Sequence, residues 1–126
     1  MLINCHSWFS LKYGTISLEK LLEELSANGF TNVAFTDINN TSASIDFVRL
    51  AEQYNIKPVL GIDFRNGIQQ KYIGLAKNIE GFKALNEHLT KHQQDKIQFE
   101  ETAPEMKDTF IIYPFKDMKY SQLNEN

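Results

Sequence analysis

Residues 2–37 read LINCHSWFSLKYGTISLEKLLEELSANGFTNVAFTD, and this stretch decides the fold. Leu2 to Cys5 is an apolar run of strand length, and the turn-prone segment from Ser7 to Gly14 follows it. Ser17 is a good helix N-cap, and Leu18, Leu21, Leu22 and Leu25 then recur at i, i+3, i+4 and i+7, the spacing of one helix face. Gly29 supplies the stop, because glycine accepts the left-handed conformation that closes many helices. Val33 to Thr36 is a second buried strand, ending at Asp37.

Working outward, Asn39, Asn40, Thr41 and Ser42 suit a loop and helix cap, and Phe47, Leu50, Ala51 and Tyr54 repeat the helical spacing. Pro58 to Phe64 is a third strand. Asn66-Gly67 has the chemistry of a hairpin turn, since both residue types tolerate positive φ, with Tyr72 to Ala76 as the returning strand. Asn78 can cap a third helix carrying Phe82, Leu85 and Leu89 on its apolar face, which gives way near His92 to Gln93, Gln94, Asp95 and Lys96, read as a surface loop. Thr109 to Phe115 is the last apolar run, split by Pro114, and the tail from Lys116 has little to bury. The order β-α-β-α-β-β-α-β predicts an α/β fold with mainly parallel strands, covering helices and one hairpin.

At 126 residues the chain has the size of one domain, with 42% hydrophobic and 23% charged residues, close to ordinary globular usage. The net charge of −3 argues against a strong grip on a phosphate backbone, which draws its affinity from clustered Lys and Arg. With one cysteine, Cys5, no internal disulfide or multi-thiolate metal site can form. A reducing, cytoplasmic setting is expected, without membrane association, since no apolar run approaches the ~20 residues that span a bilayer.

In folds of this type ligands gather at the carboxyl ends of the strands, which directs attention to His6, Asp37 and Asp63. An imidazole and two carboxylates at successive strand ends could hold a divalent metal such as Zn, Mn or Fe. The same residue types also serve ordinary ends, capping helices and bonding loop N–H groups. Spacing alone leaves both readings open.

The runs NCHSWFSLKYG, AFTDINN and IKPVLGIDF, in that order, resemble the N-terminal part of a PHP (polymerase and histidinol phosphatase) domain. More narrowly, they are similar to the amino end of bacterial DNA polymerase III alpha subunits. The resemblance is closest over the first half of the chain and extends more loosely through YIGLAKNIEGFKALNEHL. It implies a partial (β/α) barrel with a metal cluster at the strand C-terminal ends that supports phosphoester hydrolysis. Active members open with His-x-His, where this chain has Asn4-Cys5-His6. The family's Asp before the glycine is Tyr13 here, and the His after Thr-Asp is Ile38, whose side chain has no lone pair. The glutamate of the G-x-E motif is Asp63, one methylene shorter. His6 and Asp63 are thus the retained candidates for metal, and Asn4, Tyr13 and Ile38 mark lost ligand positions. His88 and His92, one helical turn apart, are read as an exposed helix face and not as the later ligands. Trp8, Phe9 and Tyr13 are expected to fill the space the ions would need.

The resemblance therefore implies a non-catalytic, scaffolding PHP-like domain over residues 1–126, excised from the longer alpha subunit of a replicative polymerase. No catalytic residue and no cofactor are expected for this segment. The parent would be a DNA-directed DNA polymerase, a nucleotidyltransferase using Mg, none of whose catalytic aspartates can be assigned here. Its expected partners are the rest of the alpha subunit and a proofreading subunit. The alternative is an active PHP phosphoesterase or proofreading 3′–5′ exonuclease using Zn or Mn, and an unrelated α/β binding module is a third reading.

Overall fold

The structure, a computed structural model, describes residues 2–7 and 17–114. Within them the strands β1 (Leu2–Cys5), β2 (Asn32–Phe35), β3 (Lys57–Asn66), β4 (Gln69–Ala76) and β5 (Thr109–Ile112) form one sheet in sequence order. The helices are α1 (Leu18–Ala27), α2 (Ser44–Ala51) and α3 (Ile79–Asp95), and a 3-10 turn, Glu52–Tyr54, follows α2. β1, β2 and β3 are mutually parallel, β4 is antiparallel to β3, and β5 is antiparallel to β4. Of these strands only β4 therefore runs against the others.

The ends of α1 are set locally. The Ser17 hydroxyl accepts the Lys20 N–H, and Gly29, at φ +81°, turns the chain so that the Phe30 N–H reaches the Leu25 carbonyl. That is the Schellman closure, which satisfies carbonyls a helix end would leave bare. The leucine stripe Leu18, Leu21, Leu22 and Leu25 is buried with Val33, Phe35 and Phe47, and the Phe35 and Phe47 rings stack at 4.3 Å. Each such side chain removed from water contributes about 1.5–3 kcal/mol.

Strand alternation then sorts the two faces of the sheet. Phe35 lies beside Leu60, so Phe35, Leu60, Ile62 and Phe64 share a face. α1 and α2 cover one part of that face, and α3 covers the rest through Leu85 and Leu89, with Phe99 beside them. The opposite face carries Ala34, Val59, Gly61, Asp63, Ile73 and Leu75. All three helices thus lie on one side, and Asp63 points to the other.

Several elements differ from the sequence expectation. The turn between β3 and β4 is Gly67-Ile68, one position later than Asn66-Gly67, with Gly67 at φ +61°. A two-residue turn with positive φ only at its first central position is the II′ type, which requires glycine there. Asn66 instead pairs with Gln69, and its amide bonds the Phe99 backbone in both directions. The polar stretch at 93–95 is not a loop but the last turn of α3, which closes at Lys96 with φ +53°. Gln and Lys are good helix formers, so polarity there marks an exposed face and not a break. The α-helix of the second helical pattern ends at Ala51, and the pattern continues to Tyr54 as the 3-10 turn Glu52–Tyr54. The last strand stops at Ile112, and Phe115 and the tail lie outside the described residues.

Candidate functional site

The strand tips meet through the loop after β2. The Asp63 N–H donates to the Asp37 carbonyl and the Asn39 N–H donates to the Asp63 carbonyl, which makes a parallel bridge between Ile38 and Asp63. Asn39, at φ +48°, then turns its amide onto the peptide of Arg65, accepting its N–H at 3.0 Å and donating to its carbonyl at 2.8 Å. Asparagine tolerates the left-handed region, and its amide here substitutes for one more strand residue. Ile38 occupies this bridge and contributes backbone contacts.

β1 approaches from the other side. It has a register irregularity between Leu2 and Cys5, and Asn4 sits there at φ +66°. The Asn4 Oδ1 accepts the Thr36 hydroxyl at 3.0 Å and lies 2.8 Å from the His6 Nε2. The same Nε2 lies 3.0 Å from the Asp63 Oδ2. Two oxygen acceptors around one ring nitrogen place the proton on Nε2, so that nitrogen donates and offers no lone pair.

Asp63 is fully buried and gathers three donors. Besides His6, the Arg65 Nη2 donates to Oδ2 at 2.9 Å, and the Gln70 Nε2 donates to Oδ1 and Oδ2 at 3.0 and 3.1 Å. Burial by itself would raise the Asp63 carboxyl, but the bonds from His6, Arg65 and Gln70 and the Arg65 charge outweigh it and hold the group below its ordinary range. Asp37 is buried apart from this cluster, its carboxylate accepting the Ser7 N–H at 2.6 Å and the Ser7 hydroxyl at 2.7 Å. The Cys5 thiol, buried and near Asp37, is pushed up to about 12 and stays protonated.

The structure thus brings His6, Asn4 and Asp63 together and leaves Asp37 in a separate clamp on Ser7. Tyr13, Trp8 and Phe9 lie outside the described residues. Among the described residues, no three His, Cys, Asp or Glu side chains converge as a metal-binding group. Sequence reading missed Arg65, Gln70 and Asn39. Arg65 had a signal, since residues two apart on a strand share a face. Gln70 had none. The pairing shifts between Phe64↔Tyr72 and Arg65↔Gln70, leaving Lys71 as the extra residue, and this bulge turns Gln70 onto the Asp63 face.

His88 and His92 are not on an exposed face, contrary to expectation; both are half-buried against Phe99. The His88 Nε2 bonds the Tyr72 hydroxyl at 2.7 Å, and the His92 Nδ1 donates to the His88 carbonyl at 2.8 Å. With Tyr72, Lys91 and Glu100 they line a hollow of about 270 Å³ on the helix side of the sheet. Burial, with help from His92 and Lys91, lowers His88 to about 4, so it is a neutral acceptor for the tyrosine hydroxyl.

The sequence pattern of the PHP domain family matches residues 3–122. This chain belongs to the PHP domain family. The PHP domain is 31% identical over 83 residues to the DNA polymerase III alpha subunit of Ureaplasma parvum, a match covering 66% of this chain and 8% of that protein. Against the alpha subunit of Vibrio cholerae the identity is 30% over 97 residues, covering 71% of this chain and 8% of the relative. The error-prone DNA polymerase of Symbiobacterium thermophilum matches at 31% over 88 residues, covering 70% of this chain and 8% of that polymerase. The PHP domain thus spans about 8% of the length of these curated relatives. A crystal structure from Bifidobacterium adolescentis, described as a metal-dependent phosphoesterase, superposes with a TM-score of 0.52 at 18% identity, over 75% of this chain and 34% of that one. At that identity the likeness shows the fold, a mixed α/β sheet of partial-barrel form. No helix among the described residues is long and apolar enough to cross a membrane.

Proposed function

We propose that this PHP domain is a non-catalytic scaffold within the alpha subunit of a replicative DNA polymerase III, stabilising that chain and offering a docking surface to the polymerase core. The observation that carries this reading is the state of Asp63. It stands where the family's metal-binding glutamate would be, and its two oxygens are already met by Arg65, Gln70 and His6. A cluster of ions needs several anionic or imidazole donors to replace the waters of each ion. Here one carboxylate faces a guanidinium, the neighbouring imidazole nitrogen is a donor, and Asn4 and Ile38 stand at two ligand positions. That donor set does not fit a multinuclear metal centre. Nucleotidyl transfer, under this reading, belongs to other segments of the polymerase.

Two measurements test it. Protein purified without added metal is expected to contain no stoichiometric transition metal by elemental analysis. It is also expected not to hydrolyse a model phosphodiester when Mn or Zn is supplied. Turnover abolished by His6→Ala would overturn the proposal in favour of an active phosphoesterase.

A further inference from the structure

We propose that the hollow on the helix side of the sheet, between α3 and the chain from Ile97 to Pro104, is a binding site for the base of a single nucleoside. This goes beyond the scaffold reading and does not depend on it, since Asp63 lies on the other face of the sheet. The hollow measures about 270 Å³, room for one heterocycle with its sugar and too little for a longer strand. Its two imidazoles are set by their neighbours. The Tyr72 hydroxyl is fully buried and the His88 Nε2, at 2.7 Å, is its one hydrogen-bond partner among the described residues, so the hydroxyl proton goes to that nitrogen. His88, lowered to about 4 chiefly by burial, is neutral and carries its own proton on Nδ1. The His92 Nδ1 donates to the His88 carbonyl at 2.8 Å, which leaves the Nε2 of a neutral His92 as an acceptor. Neither His88 Nδ1 nor His92 Nε2 has a hydrogen-bond partner among the described residues. With the ring centroids 4.3 Å apart, the hollow offers one donor beside one acceptor. Nucleobases present the complement on one flat edge, an acceptor ring nitrogen next to an exocyclic amine.

The walls suit a flat ring. Phe99 stacks on His92 at 4.8 Å and backs the imidazole, and Ile97 and Pro104 add apolar surface. The frame is built before any ligand arrives. The Asn66 amide bonds the Phe99 backbone in both directions, and the Tyr113 hydroxyl accepts the Ala103 N–H at 3.1 Å. Pre-organisation of this kind lowers the ordering cost of binding. Lys91 and Glu100, both exposed and opposite in sign, stand at the rim, so the interior is neutral and does not call for a charged ligand. The chain's net charge of −3 likewise favours a single nucleoside over a polyanionic strand.

Calorimetric titration of the whole chain with adenosine at about pH 8, where imidazoles are neutral, tests the proposal. Saturable binding is expected with a Kd on the order of 100 µM, the affinity usual for a ligand of this size. Purine riboside, which lacks only the exocyclic amine, should bind about tenfold more weakly, because the His92 acceptor is then left unpaired. His92→Phe keeps the stack on Phe99 and removes the acceptor, so it should bind both ligands weakly and alike. AMP in place of adenosine separates the sources of the base. A gain in affinity that Lys91→Ala abolishes marks a nucleotide, and equal binding marks a free nucleoside. Absence of saturation by adenosine at millimolar concentration, or equal binding of adenosine and purine riboside by the wild type, would overturn the proposal. So would an oligodeoxyadenylate that binds more tightly than the number of its bases accounts for. The comparison of two ligands on the wild type needs no variant, and it decides the matter if His92→Phe does not fold.

Discussion

Gln70 donates to both carboxylate oxygens of Asp63, at 3.0 and 3.1 Å, although an unbroken hairpin register would have turned it to the helix side of the sheet. The single extra residue, Lys71, makes the difference. Its own side chain is buried and its ammonium is paired with Glu101, which gives the bulge a second anchor beside the Gln70 bonds. Gln70→Ala is expected to cost about 2 kcal/mol in urea unfolding, the scale of a hydrogen bond to a charged group. Deleting Lys71 should cost more, because it removes the Glu101 pair and re-aims Gln70 together. An equal or smaller loss would show that the bulge does not position the amide.

Asp63 sets an acid limit. Its carboxyl is held below its ordinary range in the folded state, so the stability it contributes is complete above the unfolded value of about 3.9 and is lost as pH falls through the folded value. Urea midpoints should therefore drop steeply in strong acid in the wild type. Asp63→Asn should lower the midpoint at neutral pH, by removing the carboxylate charge that Arg65 pairs with, and flatten the acid slope. A slope unchanged in that variant would assign the acid transition to other carboxyls.

His88 acts over a milder range. Its folded value, lowered to about 4, lies below the unfolded value of about 6.5, so between these the unfolded chain binds more protons and stability falls as the medium is acidified. Lowering the pH from neutral to about 5 should thus destabilise the wild type. His88→Gln keeps an acceptor for Tyr72 and should remove most of that dependence. The comparison is of urea midpoints at the two pH values.

Gly61, the glycine of the IKPVLG run, is fixed by space. A Cβ there would lie 2.2 Å from the Gly74 carbonyl oxygen and 2.9 Å from the Leu75 side chain. Backbone on the paired strand cannot yield as a flexible side chain can, so Gly61→Ala should destabilise by about 1–3 kcal/mol or more. It should also loosen the β3–β4 pairing beside Asp63, seen as faster amide hydrogen exchange along those strands. Retained protection with unchanged stability would refute this.

The sequence by itself determined the local pieces. The leucine stripe of α1, its Ser17 and Gly29 ends, the Asn78 cap and the strand runs were legible because caps and periodicity are written within a few residues of each other. It also marked His6 and Asp63, which the fold brings within 3.0 Å across 57 positions. Only the tertiary structure decided what surrounds them. A one-residue bulge, which no composition signals, turns Gln70 inward. Packing of α3 against Tyr72 and Phe99 withdraws His88 from the exposed face that its spacing implied. The pairing of Asp63 with Arg65 rather than with solvent depends on burial, which is set by every element that covers the strand and by no single stretch of it.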